Sequence, residues 1–325
     1  MARRTFSEAS RSGFIVIGLL SLVFLSELLS GQSKESRYLP GQELVRVKIG
    51  SGPDELGVIT PEEANPEGPM SFVVGSGGEI YILDQINARI QVFKERRLIK
   101  TIKIPDEVFS DLELLPGGLI ALLDSVVKKA VFIIDEKGNP LQTISLLQKE
   151  ISTPEAVIGL YYRSLGNWPG LWAQADNTSI LIADSDGKPV SQPRVLPGLL
   201  TPNGQRLLKL EMEDEKLAII SRSDETLKNW TRYKVNLELP LGQVFGLWED
   251  LRGRLFLAVN LFDEKKEVNQ TIVLNSRGKE LARIEMFVST HPGEVYFPVR
   301  VTPEGQVYQL AIEEKEVVIR RYSLH

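Results

Sequence analysis

The residue types best suited to binding chemistry are concentrated in the stretch "YYRSLGNWPGLW" (161–172). An inserted loop here places aromatic rings beside a guanidinium and an amide, a combination that can hold a sugar, a peptide or the side chain of a partner. With one more tryptophan from further along the chain, the candidate binding residues are Tyr161, Tyr162, Arg163, Asn167, Trp168 and Trp230. The alternative is that these rings only fill the core between structural repeats.

Residues for covalent or metal chemistry are scarce. The chain has no cysteine, which excludes thiolate catalysis and cysteine-ligated metals. It has two histidines, His291 and His325, and no recognisable nucleophile motif accompanies His291. Glu113 and Glu249 occupy neighbouring positions of aligned segments, but the acids do not recur in a way that builds a ring of carboxylates. We therefore expect no catalytic residue, metal or cofactor, and we favour a binding protein over an enzyme.

Composition and charge narrow the class of protein further. The chain of 325 residues is 42% hydrophobic and 25% charged, as is usual for a globular protein. Its net charge of −5 lacks the basic excess of a nucleic-acid-binding protein, so we do not expect nucleic acid as a partner.

The elements that position the candidate residues are repeats. Four segments align on a glycine between two alternating strands: "SFVVGSGGEIYILD" (71–84), "DLELLPGGLIALLD" (111–124), "GLWEDLRGRLFLAV" (246–259) and "PVRVTPEGQVYQLA" (298–311). Glycine suits such a turn because the position commonly requires a positive φ. The aligned residues expected to be structural are the turn glycines Gly78, Gly118, Gly253 and Gly305 and the strand-ending acids Asp84 and Asp124.

Third and fourth strands follow these hairpins, and four antiparallel strands in each period of about 40–50 residues are typical of a propeller blade. Two weaker units begin with strands predicted at 156–164 and 205–213, which gives six units. We predict an all-β fold, a six-bladed β-propeller of four-stranded antiparallel blades preceded by one N-terminal apolar helix. The strand at 43–49 would close the last blade; the alternative is a seventh, degenerate blade around 51–67.

The N-terminal segment predicts export or anchoring. Residues 1–31 have a basic start and an apolar run, as in a signal-anchor or a signal peptide, and residues 12–29 are just long enough to span a membrane. A buried core helix is the remaining alternative. Because the positive charges precede the apolar run, the N-terminus is expected in the cytoplasm and the rest of the chain outside it. If residues 1–31 are cleaved, the protein is secreted or periplasmic. The predicted divisions are an anchor or signal (1–31), a polar spacer (32–42) and the propeller (43–325).

The first repeat resembles the NHL repeat, a blade type of six-bladed propellers. The similarity lies in "GEIYILDQINARIQVF", at Tyr81, Asp84, Asn87 and the run 89–93 that begins with Arg89. The lead-in at 50–69 is similar to segments that precede such domains in bacterial envelope proteins. The resemblance implies a scaffold that binds proteins, peptides or RNA, and in some relatives a lyase or a metal-dependent hydrolase. It also predicts that Asp84 and Arg89 fix the turn between adjacent strands.

Together, the residues and the resemblance favour a membrane-anchored or exported propeller that binds a ligand or protein outside the cytoplasm. The expected partner is another envelope protein, a peptide or a glycan. The alternative function is a metal-dependent, lactonase-like hydrolase or a lyase that acts at the central channel.

Overall fold

In a computed structural model, which describes residues 41–63, 65–105 and 108–324, the chain forms six four-stranded antiparallel sheets. The arrangement is the predicted six-bladed β-propeller. The apolar helix predicted within residues 1–31, the membrane segment 12–29 and nearly all of the spacer lie outside the described residues. No helix in the described ranges is long and apolar enough to cross a membrane.

The first strand, β1 (Gln42–Lys48), pairs antiparallel with the last strand of the chain and forms the outer strand of the sixth sheet. The prediction that the segment at 43–49 closes the last blade is therefore confirmed in its essentials. The described residues of the segment 51–67 form no strand. They form isolated bridges between Ile49 and Leu56, between Ile59 and Glu67 and between Glu67 and Glu294, where a seventh blade was the alternative.

The remaining strands follow the chain from blade 1 to blade 6, each blade running from its inner to its outer strand. Blade 1 contains β2 (Ser71–Val74), β3 (Ile80–Asp84), β4 (Arg89–Lys94) and β5 (Arg97–Lys103). Blade 2 contains β6 (Asp111–Leu115), β7 (Leu119–Asp124), β8 (Ala130–Ile134) and β9 (Pro140–Ser145). Blade 3 contains β10 (Val157–Arg163), β11 (Gly170–Ala175), β12 (Thr178–Ala183) and β13 (Pro189–Leu196).

Blade 4 contains β14 (Leu199–Leu200), β15 (Leu207–Asp214), β16 (Leu217–Ser223) and β17 (Trp230–Asn236). Blade 5 contains β18 (Leu241–Glu249), β19 (Leu255–Phe262), β20 (Glu267–Leu274) and β21 (Glu280–Met286). Blade 6 contains β22 (Val299–Val301), β23 (Val307–Ile312) and β24 (Glu316–Tyr322), and β1 is its outer strand. Single-turn 3-10 helices connect strands at Gln85–Asn87, Pro116–Gly118 and Pro154–Ala156.

Blade 4 corrects one strand prediction. The segment 205–213, expected to be the first strand of its blade, is mostly the second strand, β15. The inner strand is β14, which has only two residues and is too short to show an alternating pattern. A strand of this length leaves no periodic signal in the sequence.

The core lies between neighbouring blades, so that both faces of each blade are covered by the blades next to it. Leu123 of blade 2 and Leu171 of blade 3, for example, belong to one buried cluster. Burial on both faces explains why central strands such as β7, "LIALLD", read as nearly continuous apolar runs rather than as alternating ones. Each fully buried leucine of this kind contributes about 2 kcal/mol through the loss of apolar surface from water.

The turns between first and second strands lie together at one end of the ring, which we call the turn rim. Its turns are residues 75–79, 116–118, 164–169, 201–206, 250–254 and 302–306. Because the six inner strands all run toward this rim, their last residues converge around the central channel.

Candidate functional site

A cavity of about 960 Å³, which we call the mouth cavity, opens at the turn rim. Inner strands of five blades supply part of its wall, through Val73, Glu113, Tyr162, Trp248 and Arg300. A volume of this size falls within the range of pockets that hold small molecules.

Four of the lining side chains occupy one equivalent position in the repeat, at the same spacing before the turn glycine. They are Val73, Glu113, Trp248 and Arg300, which precede Gly78, Gly118, Gly253 and Gly305. The repeat therefore brings a carboxyl, an indole and a guanidinium to the same level of the channel, although the residues are far apart in the chain.

An ion-pair network centred on Asp111 lies beside the cavity and forms its floor. The side chain of Asp111 is fully buried. Asp111 forms an ion pair with Arg300 of blade 6 and accepts a hydrogen bond of 2.6 Å from the Ser71 hydroxyl of blade 1. Its second oxygen accepts the Leu160 backbone N–H of blade 3 at 2.8 Å. Arg300 also donates to the Phe72 carbonyl at 2.9 Å. The inner strands of four blades are thus tied together.

Glu113 is a half-buried carboxyl whose hydrogen-bond donor is the backbone N–H of Leu114, at 3.0 Å. In the described part of the chain, no Lys or Arg forms an ion pair with it. Burial raises the pKa of Glu113 to about 7, the nearby Asp111 carboxylate acts in the same direction, and Arg300 and Arg163 oppose the rise. A carboxyl that titrates near neutrality can give or take a proton in a bound ligand.

Arg163 contributes a guanidinium that backbone carbonyls hold in place. Its Nε donates to Leu200 and Thr201 at 3.0 and 3.2 Å, and its Nη1 and Nη2 donate to Tyr162 and Leu200 at 3.0 and 2.9 Å. The group lies 4.3 Å from the centre of the Tyr161 ring. No carboxylate among the described residues forms an ion pair with Arg163, and burial lowers the pKa of its guanidinium.

Tyr161, one of the residues predicted to bind a ligand, is a buried residue that also contributes to the wall of the mouth cavity. Its ring stacks on Trp172 with centroids 6.4 Å apart. Its hydroxyl forms a hydrogen bond with Ser179 and accepts the Leu200 N–H at 3.3 Å, so it joins blades 3 and 4. Burial raises the pKa of this phenol.

The other five predicted binding residues lie in three different places. Tyr162 and Arg163 line the mouth cavity. Trp168 and Trp230 are half-buried against the apolar cluster between blades 3 and 4, with Arg194 at 4.8 Å and Lys209 at 4.6 Å from the respective ring centres. Asn167 is exposed in the turn between β10 and β11. The structure therefore does not gather the six residues into one site.

The polar residues of the first blade hold the lead-in segment as well as their own turn. Asp84 is fully buried and accepts hydrogen bonds from the Gly57 N–H at 2.9 Å, from Asn87, and from Arg89 Nε at 2.7 Å. Asn87 and Arg89 also donate to backbone carbonyls of residues 50–57. This network fastens the lead-in to blade 1 just after β1 has left blade 6.

The other aligned structural residues shape turns. Asp124 accepts the backbone N–H groups of Val126, Val127 and Lys128 at 3.2, 2.8 and 3.1 Å, which closes the loop after β7. The turn glycines have φ values in the left-handed region: 82° for Gly78, 79° for Gly118, 75° for Gly253 and 81° for Gly305. Side chains with a Cβ rarely adopt these values.

Among residues 41–63, 65–105 and 108–324, no group of three or more His, Cys, Asp or Glu is placed to hold a metal ion. His291 lies in the loop before blade 6, where its Nδ1 accepts the Gly293 N–H at 3.2 Å. His325 is outside the described residues.

Sequence reasoning missed Asp111, Trp248 and Arg300, and did not choose Glu113. The available signal was the alignment itself, since Glu113, Trp248 and Arg300 stand at the same distance before their turn glycines. The equivalent repeat positions carry different side chains, so the site does not show as a ring of identical acids in the sequence.

No protein-family model matches the chain, and no curated protein matches it. Among solved structures, a streptogramin B lyase matches with 12% identity and a TM-score of 0.43, over 82% of this chain and 97% of that chain. A luciferin-regenerating enzyme matches with 14% identity and a TM-score of 0.47, over 78% and 91%. The calcium-binding protein regucalcin from Agrobacterium tumefaciens matches with 11% identity and a TM-score of 0.43, over 88% and 96%.

Proposed function

We propose that this chain is a ligand-binding propeller that acts outside the cytoplasm and takes its ligand in the mouth cavity. The observation that carries the proposal is the guanidinium of Arg163, which lines the cavity and has no carboxylate partner among the described residues. Around it, Tyr81, Tyr162, Trp248 and Tyr308 provide aromatic wall. Aromatic surface beside a fixed cationic donor is a common basis for recognition.

The location is proposed from the N-terminal segment. The basic start and apolar run at 12–29 would act as an uncleaved anchor or as an export signal, with the propeller outside the cytoplasm in both cases. A ligand from the envelope, such as a peptide, a glycan or a segment of another envelope protein, is then the expected occupant.

We also retain the NHL-like assignment of the first blade as a proposal. It is supported by the contacts of Asp84, Asn87 and Arg89, which act together on one turn and one lead-in segment. These are the residues on which the resemblance rests.

Catalysis at the channel is the second candidate function, and Glu113 is the observation that favours it. Its pKa of about 7 suits general acid–base chemistry at neutral pH. This candidate is a lactonase-like hydrolase or a lyase that acts at the central channel, and Glu113 favours a proton-transfer reaction such as elimination. It predicts that Glu113→Gln stops product formation while the ligand still binds.

Ligand capture tests the principal proposal. Wild type and two variants are incubated with a small-molecule and peptide extract of the cell envelope, and retained compounds are identified by mass spectrometry. Ser164→Trp places an indole at the wall of the cavity, whereas Asn167→Trp places one in the same turn at a residue that does not line it. We expect a compound that wild type and Asn167→Trp retain and Ser164→Trp loses. Equal retention by Ser164→Trp, or no retention by any protein, would overturn the proposal.

A further inference from the structure

We propose that the mouth cavity binds a carboxylate carried on an apolar body, with the carboxylate on Arg163 and a proton taken up by Glu113 on binding. This inference rests on the proposed function and names the chemical class of its ligand. It is carried by the hydrogen bonds of Arg163, the charges around the cavity floor and the apolar part of the wall.

The guanidinium of Arg163 has unused donors in a fixed orientation. Of the five N–H bonds of an arginine side chain, the Nε–H, one on Nη1 and one on Nη2 point at backbone carbonyls. Within the part of the chain that the structure describes, one N–H on each Nη has no acceptor. A planar guanidinium held by neutral carbonyls keeps its full charge, and two donors match the two oxygens of a carboxylate.

The charges at the cavity floor balance without a ligand when Glu113 is ionised. Arg300 is neutralised by Asp111 through their ion pair. Arg163 and Glu113 then remain as one positive and one negative charge that do not touch. An incoming anion would add a negative charge beside Glu113, so protonation of Glu113 restores neutrality.

Charged groups nearer the opening are already paired or exposed. Lys94 pairs with Glu79 and Lys100 with Glu136, each at 2.7 Å, and Glu304 is exposed at the rim. Two phenols of the wall, those of Tyr81 and Tyr162, have pKa values that burial raises further above neutrality, so they stay uncharged near pH 7. Glu113 is therefore the group positioned to respond to an anion at Arg163.

The rest of the wall indicates what carries the carboxylate. Apolar side chains near the floor, Val73, Leu114 and Val301, combine with the rings of Tyr162 and Trp248. A fully polar ligand such as inorganic phosphate would leave this surface uncovered, whereas an aromatic or aliphatic acid would cover it.

The test is isothermal titration calorimetry of the full chain with benzoate at pH 6 and pH 8, in buffers with different heats of ionisation. If only the form with protonated Glu113 binds, a pKa of about 7 predicts a Kd roughly tenfold higher at pH 8 than at pH 6. The buffer dependence of the heat should show proton uptake at pH 8. Glu113→Gln should bind benzoate with one affinity at both pH values and without proton uptake.

Variants test the role of Arg163 separately from that of Glu113. Arg163→Gln should weaken benzoate binding at least tenfold, whereas the exposed Arg252→Gln, on the same rim, and Glu264→Gln, at the other end of the ring, should bind as wild type does. Urea unfolding checks that each variant is folded. If Arg163→Gln is not, the pH dependence of wild type and its loss in Glu113→Gln still decide the question.

Benzamide, a neutral molecule of nearly the same shape, distinguishes this inference from the proposed function. Benzamide should bind at least tenfold more weakly than benzoate at pH 6. If both bind equally and Ser164→Trp abolishes both, the cavity remains a ligand site but the anionic class is wrong. Benzoate binding without pH dependence would overturn the coupling to Glu113, and absence of benzoate binding would overturn the inference as a whole.

Discussion

The guanidinium of Arg300, on the inner strand of blade 6, forms an ion pair with the fully buried carboxylate of Asp111, on the inner strand of blade 2. The pair passes over blade 1, whose Ser71 hydroxyl donates to the same carboxylate. One buried acid thus connects blades on both sides of the point where the ring closes, and it also forms part of the floor beside the proposed ligand site.

Removal of this acid should destabilise the ring. Asp111→Ala leaves Arg300 without its partner in a buried setting, and breaking such a pair costs about 3 kcal/mol or more. Urea unfolding should show this loss in the free energy of unfolding. The exposed Asp186→Ala is the matched control and should change stability by less than about 0.5 kcal/mol. Equal effects of the two substitutions would contradict a structural role for the network.

Glu113 should make stability depend on pH. Because its folded-state pKa is raised from 4.5 to about 7, the folded protein holds this proton more tightly than the unfolded chain. The resulting stabilisation is complete below pH 4.5 and is lost as pH rises through 7. Glu113→Gln should therefore be more stable than wild type by about 3 kcal/mol at pH 8, and nearly equal to it at pH 4.5. The comparison uses urea unfolding at both pH values.

Glu264→Gln is the control for that comparison, since Glu264 is exposed in the loop between β19 and β20. The difference in the free energy of unfolding between Glu264→Gln and wild type should be the same at pH 4.5 and at pH 8. If Glu113→Gln behaves in the same way, the pKa of Glu113 is not raised in the folded protein.

The two aligned acids that end second strands should differ in importance. Asp84 forms a buried ion pair with Arg89 and holds the lead-in segment, so Asp84→Ala should cost about 3 kcal/mol. Asp124 accepts backbone N–H groups of one loop, and Asp124→Ala should cost about 1 kcal/mol. Thermal or urea unfolding gives the ranking, and a larger loss for Asp124→Ala would contradict it.

Tyr162 and Trp168 should separate ligand binding from packing. Tyr162→Ala removes cavity wall and should weaken benzoate binding several-fold at pH 6. Trp168→Ala removes a half-buried ring that packs between blades 3 and 4, which should lower stability by about 1–2 kcal/mol without changing the affinity for benzoate. Calorimetry and urea unfolding of both variants check this. Loss of affinity in Trp168→Ala alone would place the ligand at the tryptophans instead.

Most of the fold was predictable because a blade repeats its local signals. The glycine turns and alternating strands of blades 1, 2, 5 and 6 identify the architecture, and the unpaired strand near residue 43 indicates how the ring closes. Blade 4 was misread at its inner strand because the two residues of β14 carry no periodicity. There the pairing depends on neighbouring blades rather than on local sequence.

The site was only half predictable, for a different reason. Arg163 and Tyr162 stood out as a charged and an aromatic residue in an irregular loop, and both line the mouth cavity. In the sequence, Trp168 and Trp230 were equally plausible binding residues, yet in the structure they cover the core between two blades. Arg300 could be found only through its aligned position before the turn glycine, and its pairing with Asp111 of another blade could not be read from the sequence. Such contacts follow from closure of the ring.

Fluorine NMR of the chain labelled with 5-fluorotryptophan tests most directly whether the mouth cavity is the ligand site. The chain has four tryptophans, and Trp248 lines the cavity while Trp168, Trp172 and Trp230 belong to the cluster between blades 3 and 4. On addition of the envelope extract, we expect the Trp248 resonance to shift or broaden while the other three stay in place. A response from Trp168 and Trp230 with Trp248 unchanged would contradict the account.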